Sequence, residues 1–114
     1  MAARKRKARS DRNHVVYKLI CTSTGEEYFG ITFARGRAFK KSMMTRWAAH
    51  VRNAIVYDKQ TLLYSRIRSD GPESFRQEII AIIRGKQAAH DMERSLIKTF
   101  KPALNMEGMG YRKA

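Results

Sequence analysis

Tyr17 and Tyr28 stand in two consecutive strand-like runs, Val15-Val16-Tyr17-Lys18-Leu19-Ile20 and Tyr28-Phe29-Gly30-Ile31. Arg46 and His50 follow one helical turn apart, then Glu93, then Asn105. A phenol titrates near about 10 and acts as a base at neutral pH only where positive charge stabilises the phenolate. This chain has charge to spare: 24 Lys and Arg against 10 Asp and Glu, a formal net charge of +14. A base, a cation facing developing negative charge and a carboxylate for a metal are the parts of phosphodiester hydrolysis.

The acids narrow that chemistry. Two-metal hydrolysis needs clustered carboxylates holding cations roughly 4 Å apart. Most of the ten acids here lie in loop-like stretches. One oxygen-ligated metal ion at most is expected. A zinc centre would have to gather His14, His50 and His90 from unrelated settings. The one cysteine, Cys21, excludes an internal disulfide and a cysteine-rich zinc site, and its apolar run places it in the core.

Charge points to the partner. An excess of +14 on 114 residues is costly to keep unless a polyanion uses it, and nucleic acid is the default polyanion. The N-terminus lacks the apolar stretch of a secretory signal, and no apolar run is long enough to span a bilayer. A cytoplasmic protein with no membrane association is expected.

The elements that must position these residues follow from periodicity. Residues 1–13 form a basic tail with Arg4, Lys5, Arg6 and Lys7, suited to phosphate contact. One globular domain is expected over 14–106, and 107–114 form a short basic C-terminal tail. A hairpin opens the domain, its strands at 15–21 and 26–32 joined by Thr22-Ser23-Thr24-Gly25. A two-residue loop puts Tyr17 and Tyr28 on one face of the sheet; a slip of one residue would separate them.

Arg35, Arg37, Lys40 and Lys41 lie in the basic stretch that follows, read as phosphate contacts. A helix then starts near Ser42, with Met44, Trp47, Val51, Ala54 and Ile55 as its packing stripe and Arg46, His50 and Asn53 along one flank. A short helix spans Thr61 to Ser69. Phe75 to Ile83 reads as a third strand buried on both faces. A last helix, about Lys86 to Lys101, carries Ala89, Met92, Leu96, Ile97 and Phe100 on one arc, with Glu93 inside it. A carboxylate on an apolar arc is costly unless a cation or a metal answers it.

Taken in order, these residues resemble a GIY-YIG endonuclease, a small stand-alone, homing or phage-type member. Val15-Val16-Tyr17 stands where the family has Gly-Ile-Tyr, and Tyr28-Phe29-Gly30 where it has Tyr-Ile-Gly. Arg46-Trp47-Ala48-Ala49-His50 is similar to the helix segment bearing the family's arginine and, in several branches, a histidine four residues on. Ile67 to Phe75 is similar to its turn into the third strand. Met92-Glu93-Arg94-Ser95-Leu96-Ile97 and Pro102-Ala103-Leu104-Asn105 resemble its metal-ligand helix and the Pro-x-Leu-Asn beyond.

The resemblance implies an α+β fold, a central three-stranded antiparallel sheet flanked by helices in β-β-α-α-β-α order. It implies hydrolysis of double-stranded DNA with one Mg²⁺ or Mn²⁺ ion. Glu93 would hold the metal, Tyr17 activate water and Arg46 stabilise the phosphorane. Tyr28 and His50 would orient water and phosphate, with Asn105 supporting the site. The segment between Gly30 and Arg46 is longer than the family's, leaving Arg35 and Arg37 as alternatives; Arg46 is favoured because it alone has a histidine one turn later. With no separate DNA-binding domain in the sequence, specificity falls to the body, the tails, a homodimer or a DNA-targeting partner chain. A restriction or repair nuclease, and a non-catalytic basic nucleic-acid-binding protein, are the alternatives.

Overall fold

The computed structural model describes residues 12–108. Arg4, Lys5, Arg6, Lys7 and most of the C-terminal basic stretch lie outside them.

The hairpin sets the frame. Strands β1 (Asn13–Cys21) and β2 (Glu27–Phe33) pair antiparallel, with Tyr17 opposite Gly30 and Leu19 opposite Tyr28. Side chains alternate along a strand, so Tyr17, Leu19 and Tyr28 share one face. The turn holds four residues, Thr22 to Gly25, closed by a bond from Cys21 N–H to Glu26 O at 2.9 Å. These are the four residues expected to join the strands, with the register that a two-residue loop would give.

Strand β3 (Phe75–Arg84) pairs antiparallel with the other edge of β1, giving the order β2-β1-β3. Its pairing slips between Val16 and Tyr17, leaving Ile80 with no residue opposite. Such a bulge bends and twists the strand beside Tyr17. Helices α1 (Phe39–Ile55), α2 (Leu62–Asp70) and α3 (Lys86–Phe100) complete an α+β fold: a three-stranded antiparallel sheet flanked by three helices in β-β-α-α-β-α order. None of the helices among the described residues is long and apolar enough to cross a membrane.

The main core lies between the Tyr17 face of the sheet and helices α1 and α2. Val15, Tyr17, Leu19 and Cys21 meet Met43, Trp47 and Ala54 of α1 and Leu63, Tyr64 and Ile67 of α2. Leu63 and Ile67 are 2% and 0% exposed. Burying each contributes roughly 1.5–3 kcal/mol, which docks a helix too short to stand alone. Thr61 caps α2, its side chain accepting from Tyr64 N–H at 3.1 Å, and Gly71 ends it at a φ of 88°. The other face of the sheet carries His14, Val16 and Phe29. Helix α3 contacts all three strands, and its Phe100 packs on Phe29 with ring centroids 6.1 Å apart.

Three expectations are corrected. The third strand is not buried on both faces: it is an edge strand, and Ile79, Ile80 and Ile82 are 38%, 40% and 36% exposed. An isoleucine run fits a doubly covered strand by composition, but β3 ends the sheet, and among the described residues no strand pairs with its outer edge. Helix α1 starts at Phe39, and its packing stripe is Met43-Trp47-His50-Ala54, while Met44 and Ile55 are exposed. The stripe is rotated toward what sequence reading took for a flank, which brings His50 to its centre. On α3 only Ala89 is fully buried, and Met92 and Phe100 of the expected arc are exposed.

Candidate active site

Tyr17 occupies the middle of β1, and its ring lies across β2. A methyl group on Gly30 would stand 2.5 Å from Tyr17 Cζ and Oη, so the ring uses the space that glycine leaves. Tyr28 lies beside it, ring centroids 6.5 Å apart. His50 closes the cluster from α1, edge-on to Tyr17 at 6.1 Å and to Tyr28 at 5.6 Å between centroids. Its Nε2 is 2.8 Å from Tyr17 Oη.

A residue that sequence reading missed holds the other side of His50. Tyr64 Oη of α2 is 3.0 Å from His50 Nδ1 and accepts from Asn53 Nδ2 at 3.2 Å. Four side chains from three elements thus form one chain of hydrogen bonds: Tyr17, His50, Tyr64, Asn53. The helical spacing of Leu63, Tyr64 and Ile67 marks Tyr64 as inward-facing, and a buried tyrosine hydroxyl needs a partner. That much was legible; the partner was not.

Burial dominates the electrostatics. Tyr17 is 1% exposed, and burial drives its pKa well above the ordinary phenol value, reinforced by the charges of Tyr28 and Glu93. Arg46 acts the other way through its nearby positive charge. Tyr28 is pushed up to about 12 by burial, then by Glu93 and Tyr64, again with Arg46 opposing. His50 is held down at about 3 by burial and by the Arg46 charge, so its imidazole is neutral. The Arg46 charge reaches all three rings. Arg35 and Arg37 act on none of them.

Glu93 on α3 acts on both tyrosines through its charge. Its own carboxyl is pushed up by burial, against the lowering effects of His90, whose Nδ1 is 3.7 Å away, and Arg94. This is a carboxylate short of solvation. No group of three or more His, Cys, Asp or Glu gathers at a metal-binding spacing among the described residues. One carboxylate fits a hard ion such as Mg²⁺, which keeps several waters and takes further oxygens from substrate phosphate. It does not fit zinc.

Asn105 stays on the backbone of β2. Its Oδ1 accepts from Phe29 N–H at 2.7 Å and its Nδ2 donates to Phe29 O at 3.0 Å. The pair satisfies an outer-edge peptide between Tyr28 and Gly30. Asn105 therefore positions the strand rather than reaching the rings.

Next to Arg46 a groove of about 390 Å³ runs between the end of β2 and α1, its walls including Thr32, Phe33, Arg35, Lys41, Thr45 and Arg46. No acid lines it, and its three cations form no ion pair among the described residues. The Arg12 guanidinium stacks over Phe33, 5.5 Å from the ring centre. Arg37 and Lys40 are exposed outside this groove.

Comparison of the chain with protein-family models, with curated proteins and with solved structures finds no match in any of the three.

Proposed function

We propose that this chain is a metal-dependent DNA endonuclease of the GIY-YIG type, acting inside the cell. The observation that carries the reading is the meeting of Tyr17, Tyr28, His50 and Arg46 at one point, within reach of the Glu93 charge. A binding protein gains nothing from two buried phenols and a neutral histidine behind a cationic groove. A hydrolase has a use for each.

Tyr17, as phenolate, takes a proton from a water whose oxygen attacks phosphorus, and the leaving oxygen departs from the opposite side. Arg46 faces the charge that builds on the phosphoryl oxygens, a role in which a guanidinium matches phosphate geometry. Tyr28 and His50 fix the Tyr17 ring and hold water beside it. Glu93 would hold the Mg²⁺ or Mn²⁺ ion. That ion, when bound, polarises the scissile phosphate and stabilises the leaving oxygen. The Glu93 charge, one of the causes that raise both phenols, would be offset in the metal-bound site. Arg35 and Lys41 guide the phosphate backbone to Arg46 along the groove.

The test is incubation of the purified chain with supercoiled plasmid, in Mg²⁺ and in EDTA, beside Glu93→Gln. Metal-dependent nicking or linearisation that the substitution abolishes, with plasmid retardation retained, is the expected result. Plasmid and genomic DNA retarded but uncut in every condition would leave a nucleic-acid-binding protein as the better reading.

A further inference from the structure

We propose that the outward face of α1 lies in the major groove of duplex DNA, with Thr45 and Ala48 at the base edges and Lys41 and Arg52 at flanking phosphates. The choice of groove rests on the function proposed above; the exposed basic face does not.

Charge is the first observation. Residues 28–57 hold six Lys and Arg and no Asp or Glu. The next acid, Asp58, is already answered by Arg68 at 3.4 Å. None of the six cations forms an ion pair among the described residues. Lys18, Arg66, Arg68, Arg76 and Arg94, on the other elements, all meet carboxylates. Unanswered cations gathered on one stretch of chain fit a polyanionic partner.

The helix face is the second. At 3.6 residues per turn, Lys41, Met44, Thr45, Ala48, Arg52 and Ile55 fall within an arc of roughly 100°. All six are exposed, Ile55 by 53%. The buried Met43, Trp47, His50 and Ala54 lie on the other side of the helix. Ale48 is avoided by no bulk: the small side chain of Ala48, at the middle of the arc, lets another surface come close to the helix. Lys41 and Arg52 bracket it, about 16 Å apart along the axis. A lipid surface takes a continuous bulky apolar face; here the centre is alanine and threonine.

Continuity selects the groove of the duplex. Lys41 and Thr45 belong both to this face and to the wall of the cleft beside Arg46. A phosphate backbone held in that cleft runs along one flank of α1, and its duplex then meets the outward face. An α-helix is about 10–12 Å across. The minor groove, roughly 6 Å wide, excludes it, and the major groove, about 12 Å wide, admits it. Alanine and threonine methyls there meet thymine methyls, while the cations at either end meet phosphates. Sequence reading then lies on the same helix that carries Arg46 and His50.

The experiment is fluorescence anisotropy of the full chain in EDTA with two duplexes of one sequence, one bearing glucosylated 5-hydroxymethylcytosine. The sugars fill the major groove and leave the phosphates unchanged. Wild type should bind the modified duplex about tenfold more weakly, while netropsin, which occupies the minor groove, should matter less. Ala48→Glu, at an exposed helical position, should weaken binding to the plain duplex about tenfold and remove the difference between duplexes. Circular dichroism confirms that the variant is folded. Equal wild-type affinity for both duplexes would mean phosphate contact alone and overturns the proposal, as does displacement by netropsin. Folded Ala48→Glu that binds duplex like wild type but no longer adheres to anionic phospholipid vesicles assigns the face to lipid, and overturns it too. A chain that binds as described yet cuts nothing loses the nuclease reading alone. One that cuts plasmid but binds both duplexes equally loses only this inference.

Discussion

The Tyr17 ring crosses the backbone of Gly30 so closely that a Cβ there would meet Cζ and Oη at 2.5 Å. Gly30 keeps ordinary strand conformation, so its value is the missing side chain and not backbone freedom. Gly30→Ala should push Tyr17 off His50 and cost about 1–3 kcal/mol as overpacking. Displacing a catalytic group by about 1 Å lowers cleavage on the order of 100-fold. DNA affinity should hold, because the groove is untouched. Cleavage assays, chemical denaturation and gel retardation of one variant read all three.

Asn105 gives a second test of position against chemistry. Asn105→Ala strips both partners from the Phe29 peptide at the sheet edge and should destabilise the fold by about 1–3 kcal/mol, with cleavage falling alongside. Asn105→Asp keeps the acceptor for Phe29 N–H but sets a carboxylate against Phe29 O. It should fail to rescue either property. Rescue of cleavage by Asn105→Asp would mean that a carboxylate is useful there, and that Asn105 acts on a metal or substrate instead.

Acid should find His50. Its value of about 3 in the fold lies below the ordinary imidazole value of about 6.5, so folding favours the neutral ring. The stability this contributes is fully present above about 6.5 and is lost as pH falls from there toward 3, on the order of 4 kcal/mol. Lowered carboxylates such as Asp70 and Asp91 also lose stability in acid. The difference between wild type and His50→Gln isolates the histidine. Denaturant midpoints across pH should fall more steeply for wild type in that window; parallel curves would mean that His50 is not held neutral.

The groove predicts unequal lysines and arginines. Arg35→Ala and Lys41→Ala should each weaken DNA binding and reduce the salt slope by about one. Arg37→Ala and Lys40→Ala, outside the groove, should change both less. Binding isotherms at several salt concentrations measure the slopes. Equal effects at all four positions would assign binding to diffuse charge.

Much of the site was legible because its signals are local. Strand alternation and register put Tyr17 and Tyr28 on one face, with the turn at Thr22 to Gly25 where the turn-forming residues cluster. Glu93 stood out as a carboxylate on an apolar arc. The stripe of α1 was read one step off, with Met44 for Met43, because both methionines fit a helical period and only the neighbouring sheet and α2 choose between them.

The sequence by itself determined the order and type of the elements, the shared face of the two tyrosines and the basic character of the surface. These are properties of spacing along a few residues and of summed charge. Tertiary structure alone decided that Tyr64 meets His50, that the Arg46 charge opposes the rise of both phenols, and that β3 lies at an exposed edge. Each of those depends on which elements become neighbours. Periodicity says which way a side chain faces; packing of distant segments says what it finds there.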